Sequence, residues 1–178
     1  MKKLIAILLL LVLVTSLAAC GKNDDGVPEG MKDVAVENAA FYLYVPELWL
    51  SQSQGGISGA MSPRGNANII ATVYLPETGY LDAQEYWTKK CLADYTAEFS
   101  EFTVIEAECK ATTLGGMNAY QAVFTRKSAG QTYQQLQVIA LQGGMIYTVQ
   151  YTAVAGEAYN EWITNGDVAN VIANFTLC

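Results

Sequence analysis

The sequence predicts an α+β fold: a central antiparallel sheet of about six or seven strands flanked by helices, a three-layer α/β/α sandwich. Three observations lead to it. Successive β-rich runs in the second half are separated only by Leu114-Gly115-Gly116, Ser128-Ala129-Gly130 and Gly143-Gly144, too little chain for the crossovers that parallel strands need. Apolar side chains occupy both faces of those runs: Tyr120, Ala122 and Phe124 against Ala119 and Val123, and Leu136, Val138 and Ala140 against Ile139 and Leu141. A sheet with one wet face would alternate apolar with polar. Two helical patterns supply the two covers, one ahead of these strands and one at the end of the chain.

The 178-residue chain begins with Lys2, Lys3 and an apolar run, Leu4 to Val14. That run is shorter than the roughly 20 residues that cross a bilayer and has the length of a signal-peptide core. Leu17-Ala18-Ala19-Cys20 follows, a sequence resembling a bacterial lipobox: small residues before the cut, and a thiol to carry the lipid. Residues 1–19 are therefore expected to be a lipoprotein signal peptide, with Cys20 lipidated. Residues 20–37 are polar, Gly-rich and aperiodic, and predict a flexible tether. The domain is expected over residues 38–178. A protein of this design belongs in the bacterial cell envelope, held to the membrane by its N-terminal lipid and facing outside the cytoplasm.

Within the domain, Phe41 to Pro46 is a β-rich run stopped by a proline. Gly56 to Met61 and Ala67 to Leu75 predict two strands joined by Ser62-Pro63-Arg64-Gly65-Asn66, and the three runs a meander. Over Leu81 to Phe99, the residues Leu81, Trp87, Cys91, Leu92, Tyr95 and Phe99 share one arc of a helix, while Asp82, Lys89, Lys90 and Asp94 fall outside it. Strands are expected at Phe102 to Thr112, Met117 to Lys127, Thr132 to Gln142 and Met145 to Val154, then a helix from about Glu157 to Ala173. Gly143-Gly144 has the two-residue form of a tight hairpin, and Gly55-Gly56 reads as a turn rather than a phosphate cradle.

Composition narrows the function. The chain contains no histidine, which excludes histidine-based nucleophilic triads and the usual histidine-containing zinc sites. Removal of residues 1–19 would leave 8 basic against 17 acidic side chains, a formal charge of −9. Nucleic-acid binding depends on neutralising phosphates and is disfavoured.

The order of elements is similar to that of the PsbP-like superfamily, including bacterial lipoproteins of the DcrB and LpqN kinds. The resemblance rests on Tyr44-Val45-Pro46-Glu47-Leu48-Trp49, on Asn68-Ile69, on Gly116 with Ala119, and on Ile172-Ala173-Asn174-Phe175, in that order over residues 38 to 176. It implies an accessory or binding protein: one group of members assists assembly of a photosynthetic complex, another binds a small GTPase. It brings no common catalytic set. Metal sites of photosynthetic members use histidine in part, which this chain lacks.

Candidate sites are few. Glu98, Glu101, Glu106 and Glu108 gather near the helix-to-strand connection, and a strand through Phe102 to Thr112 would put Glu106, Glu108 and Lys110 on one solvated face. Trp49, Tyr147 and Tyr151 could line a ligand groove, although large aromatics are more often core. With Cys20 lipidated, Cys91, Cys109 and Cys178 remain. Three pairings are open, Cys91 with Cys109 foremost because both lie on apolar faces of neighbouring elements, and buried free thiols are the alternative. No catalytic residue, metal site or cofactor is expected. The sequence predicts a non-catalytic binding or positioning domain with an envelope protein as partner; the alternative is a lipoprotein that binds a sugar or peptide in an aromatic groove.

Overall fold

A computed structural model describes residues 26–178. The main sheet has eight strands: β4 (Leu50–Ser51), β5 (Ser58–Met61), β6 (Ala67–Tyr74), β7 (Ser100–Val104), β8 (Lys110–Leu114), β9 (Met117–Ser128), β10 (Gln131–Gln142) and β11 (Met145–Val154). Their spatial order is β4-β5-β6-β11-β10-β9-β7, with β8 also paired to β9, and every pairing is antiparallel. The hairpin turns explain the short connections. At Gly143-Gly144, φ is 59° and 77°, so both turn residues are left-handed, as the twist of a two-residue hairpin requires.

Both faces of the sheet are covered, and the sequence alternation says which side chains go where. One face buries Ala119, Val123, Leu136, Val138, Ala140, Tyr147, Val149 and Tyr151. Over it lie α2 (Glu157–Thr164) and α3 (Asp167–Asn174), together with a ribbon formed by β1 (Met31–Asp33), β2 (Phe41–Tyr42), β3 (Tyr44–Pro46) and β12 (Thr176–Leu177). The other face buries Ala122, Phe124, Ile139 and Ile146 beneath α1, the helical residues 83–98.

Several elements depart from expectation. Leu81 is not on the buried stripe: it is 89% exposed. Asp82 caps α1, its Oδ1 accepting from the Glu85 N–H at 2.8 Å, so the helix begins after Leu81 and buries Ala83 and Tyr86 instead. A π turn over Trp87–Cys91 then widens the helix, bringing Tyr86, Trp87 and Cys91 to bear on the sheet.

The expected terminal helix is two helices. Gly166 has φ 88°, a left-handed residue that ends α2, and the Asp167 N–H donates to Asn165 Oδ1 at 3.0 Å as the chain restarts.

Phe41 to Pro46 does not join a meander. Phe41, Leu43, Tyr44 and Val45 are all buried, so the run lacks the alternation of a sheet strand and packs as a covering layer, where β3 pairs with β1 and β2 with β12. The tether prediction also reached too far, since Met31–Asp33 is the strand β1 and Met31 and Val34 are core residues.

The strand expected over Phe102 to Thr112 is broken by a 3₁₀ turn at Glu106–Glu108. Val104 pairs with Phe124 and Lys110 with Gln121, so residues 105–109 stand opposite Ala122 and Val123 alone. The surplus chain has to loop out. Glu106, Glu108 and Lys110 consequently do not share a strand face.

Candidate functional site

The loop-out beside β9 has a structural consequence. It leaves room between the sheet edge and the helices α2 and α3, and a cavity of about 350 Å³ occupies that space. Its walls are Leu136, Ile163, Val168 and Ile172, with Ala169 at the exposed side; Glu108, Lys110 and Gln121 carry its polar rim. Gln121 Nε2 donates to the Glu108 carbonyl at 2.9 Å and holds the turn against β9. This volume is at the lower end of ligand pockets, roughly 300 to 1,000 Å³.

Tyr159 backs the cavity from the core side. Tyr159, in the first turns of α2, is 2% exposed, and its hydroxyl is shut off from solvent. Burial, and then the charge of Glu108, raises its phenol well above the usual range, and the Gln134 side chain offsets this slightly. The ring cannot simply turn away. It packs against Tyr151 at 5.2 Å between centroids, and the Tyr151 hydroxyl donates to the backbone carbonyl of Tyr159 at 3.0 Å. Helical spacing over Glu157 to Ala173 puts Tyr159 among the apolar positions and says nothing of where its hydroxyl ends.

Trp49, Tyr147 and Tyr151 do not line a groove. They are 1%, 8% and 0% exposed, parts of the core against α2 and Phe175: Trp49 meets Trp162 edge-on at 5.2 Å, and Tyr147 meets Phe175 at 6.4 Å. Adjacent apolar layers on one sheet face absorb all three.

Cys91 and Cys109 are not joined; both are free thiols. Cys91 points from α1 into the second core, where burial, then the Asp94 charge, pushes its thiol up to about 12. The Cys109 sulfur is held at the 3₁₀ turn, 3.4 Å from the Val123 N–H that donates to it. They share a layer but each is engaged by its own surroundings. Cys20 and its preceding residues Leu17, Ala18 and Ala19 lie outside the described residues.

The polar groups on the α1 side of the sheet satisfy one another. Arg126 Nε donates to Gln135 Oε1 at 2.8 Å, Gln135 Nε2 to Thr152 Oγ1 at 2.9 Å, and the Tyr95 hydroxyl to Gln137 Oε1 at 3.2 Å. Paired in this way they are structural. Among the described residues, no group of three or more Cys, Asp or Glu side chains converges as a metal site would require.

A second hollow, about 460 Å³, lies beside the 34–40 loop and is lined by Asp33, Val36, Asn38, Phe41 and Tyr42. Two carboxylates line it, Asp33 and Glu37, and the first is already used, since Asp33 Oδ1 accepts from the Ala35 and Leu43 N–H groups at 2.9 and 3.2 Å.

Apolar surface is found elsewhere, on the hairpin of β4 and β5. Leu48, Leu50 and Ile57 are 78%, 53% and 43% exposed. Leu50 pairs with Met61, and Gln54 bridges to Ile57 across Gly55-Gly56. Strand alternation therefore puts Leu50, Ile57 and Met61 on one face of this edge.

These features define a PsbP-like α+β sandwich. No protein-family model matches the chain, and no curated protein matches it in sequence. Solved structures match in fold. The cyanobacterial PsbP (CyanoP) of Synechocystis sp. PCC 6803 superimposes with a TM-score of 0.56 at 14% identity, over 91% of this chain and 99% of that one. LpqN of Mycobacterium tuberculosis, involved in cell envelope biogenesis, gives 0.54 at 19% identity over 77% and 82%. The Ran-binding protein Mog1p of Saccharomyces cerevisiae gives 0.57 at 10% identity over 83% and 95%.

Proposed function

We propose that the protein is a membrane-anchored lipoprotein of the bacterial envelope, of the DcrB and LpqN kind, whose PsbP-like domain positions or binds another envelope protein and is not an enzyme. The observation that carries this reading is the exposed apolar face of the edge hairpin. Leu50 and Ile57 are exposed, with the half-buried Met61 paired to Leu50, on a sheet edge whose outer strand is only Leu50–Ser51. Exposed apolar residues gathered in one place mark contact surfaces, and a strand edge adds unpaired backbone groups that a partner can use. The likeness to LpqN, a protein of envelope biogenesis, and to the Ran-binding Mog1p fits a domain that acts by contact. The Leu17-Ala18-Ala19-Cys20 sequence supports the anchor.

Three measurements test it. A photo-crosslinking residue at Leu50 or Ile57 in intact cells should give a defined adduct with one envelope protein, and one at Lys90, exposed on α1, should not; equal labelling at the three positions rejects the docking surface. Cys20→Ala should leave an unprocessed or released protein, and a mature-sized band retained in the membrane rejects the anchor. Purified protein should also show no turnover of generic ester, phosphate or glycoside substrates; hydrolysis abolished by Glu106→Gln or Glu108→Gln would make it an enzyme.

A further inference from the structure

The edge hairpin is one end of a longer row of side chains. Leu50 stands opposite Met61, Met61 opposite Asn68, Asn68 opposite Thr152, and Thr152 opposite Gln135, which in turn faces Phe124. Residues directly opposite one another share a face of the sheet. Phe124 belongs to the core beneath α1, so the whole row lies on the α1 side. The helix leaves the outer part of it open: no residue of β4 or β5 joins that core, and Met61, Asn68 and Thr152 are half-buried. From Leu50 to Gln135 the row carries no charge.

At its inner end stands Arg126. The chain has 17 acidic against 10 basic side chains, and the other arginine, Arg64, has Glu161 at 3.2 Å. Arg126, among the described residues, has no carboxylate within 4.0 Å. Its Nε donates to Gln135 Oε1 at 2.8 Å, and its guanidinium carbon is 4.9 Å from the centre of the Phe99 ring and 5.5 Å from that of Tyr133. One amide and two rings therefore fix the plane of the group. The bond to Gln135 engages Nε alone, and the terminal Nη groups donate to no described residue. Those are the prongs with which an arginine grips a carboxylate.

We infer that the docking face runs from Leu50 to Arg126, and that the envelope protein it takes sets an apolar side chain over Leu50 and Met61 and an aspartate or glutamate carboxylate on the Arg126 Nη groups. This rests on the docking reading above and adds the chemistry of the partner. Four strand spacings of about 4.8 Å separate Leu50 from Gln135, so the two contacts are about 19 Å apart. One interface of the usual size, about 800 Å² on each side, spans that distance. A guanidinium already held in place loses little freedom when it meets a carboxylate. A partner carboxylate set down elsewhere on the uncharged row would lose its water without gaining a counter-charge, so Arg126 selects the register.

The test is photo-crosslinking from Leu50 of the full-length protein in intact cells, with the labelled partner peptide identified by mass spectrometry. Arg126→Glu should lower the adduct about tenfold, equivalent to about 1.4 kcal/mol. Lys127→Gln, which removes a charge from the opposite face of β9, should leave it unchanged. Each exposed Asp or Glu near the labelled site of the partner is then changed to Lys in turn, and one of these changes should restore the adduct in the Arg126→Glu background, a rescue that a misfolded variant does not show. No defined adduct from Leu50 in the wild type overturns the docking face and this inference with it. An adduct that survives Arg126→Glu, or a loss that none of the partner changes restores, overturns the carboxylate contact and leaves the docking face standing.

Discussion

Trp87→Ala is expected to destabilise the domain by about 3 to 5 kcal/mol, the cost of deleting a large buried aromatic. Trp87 is 3% exposed and lies at the centre of the α1 side of the molecule. Its indole stacks on Phe124 at 5.7 Å between centroids and meets Tyr95 at 6.0 Å, so one truncation loosens the sheet contact and the helix's own contact about two turns further on. The cavity will not collapse easily, because α1 is tied at its start by the Asp82 cap and further along by the bond from Tyr95 to Gln137. For a domain whose total stability is of the order of 5 to 15 kcal/mol, the variant should have a much lower urea midpoint. Lys90→Ala is the control: its ammonium pairs with the Asp94 carboxylate on the same exposed helix side, and its midpoint should barely move. Equal midpoints would mean that α1 is rotated from the orientation described.

That control separates what the sequence made legible from what it did not. Period-two alternation in residues 119–124 and 136–141 was enough to assign each side chain to a face, because a strand's geometry is local. The same alternation misled at Glu106 to Lys110. Whether a run stays in a ladder depends on how many residues stand opposite it on β9, and no local pattern contains that number. Leu81 failed for a similar reason: its angle on the helical wheel is right, but the side chain of Asp82 starts the helix one residue too late to include it. Gly166 divides the terminal helix in two, and the apolar spacing on either side of it runs on without showing the break. The cavity at Tyr159 was illegible, since it arises where the looped-out turn, the broken terminal helix and β10 meet.

Gly115→Ala should be nearly as damaging as the loss of Trp87, although it adds a single methyl group. Gly115 sits at the tip of the hairpin joining β8 to β9, with φ 53°, and a Cβ there would stand 1.7 Å from the carbonyl oxygen of Phe175 and 2.8 Å from its carbon. Both atoms are backbone, so either the hairpin or the end of α3 must move. The Gly115 N–H donates to the Ile172 carbonyl at 3.0 Å, and that bond goes with the displacement. Phe175 is pulled from its stack on Phe41, 5.0 Å away, and the pairing of β12 with β2 is anchored on the same residues. The left-handed backbone costs an alanine about 1 to 2 kcal/mol, the hydrogen bond about 1 kcal/mol, and partial exposure of Phe175 about another 1 to 2 kcal/mol, giving about 3 to 5 kcal/mol in urea denaturation. Gly116→Ala distinguishes contact from conformation. Its φ of 82° is equally left-handed, but nothing lies within 4 Å of the added Cβ, so it should lose only about 1 to 2 kcal/mol. If the two variants unfold at the same urea concentration, the hairpin tip does not press on α3.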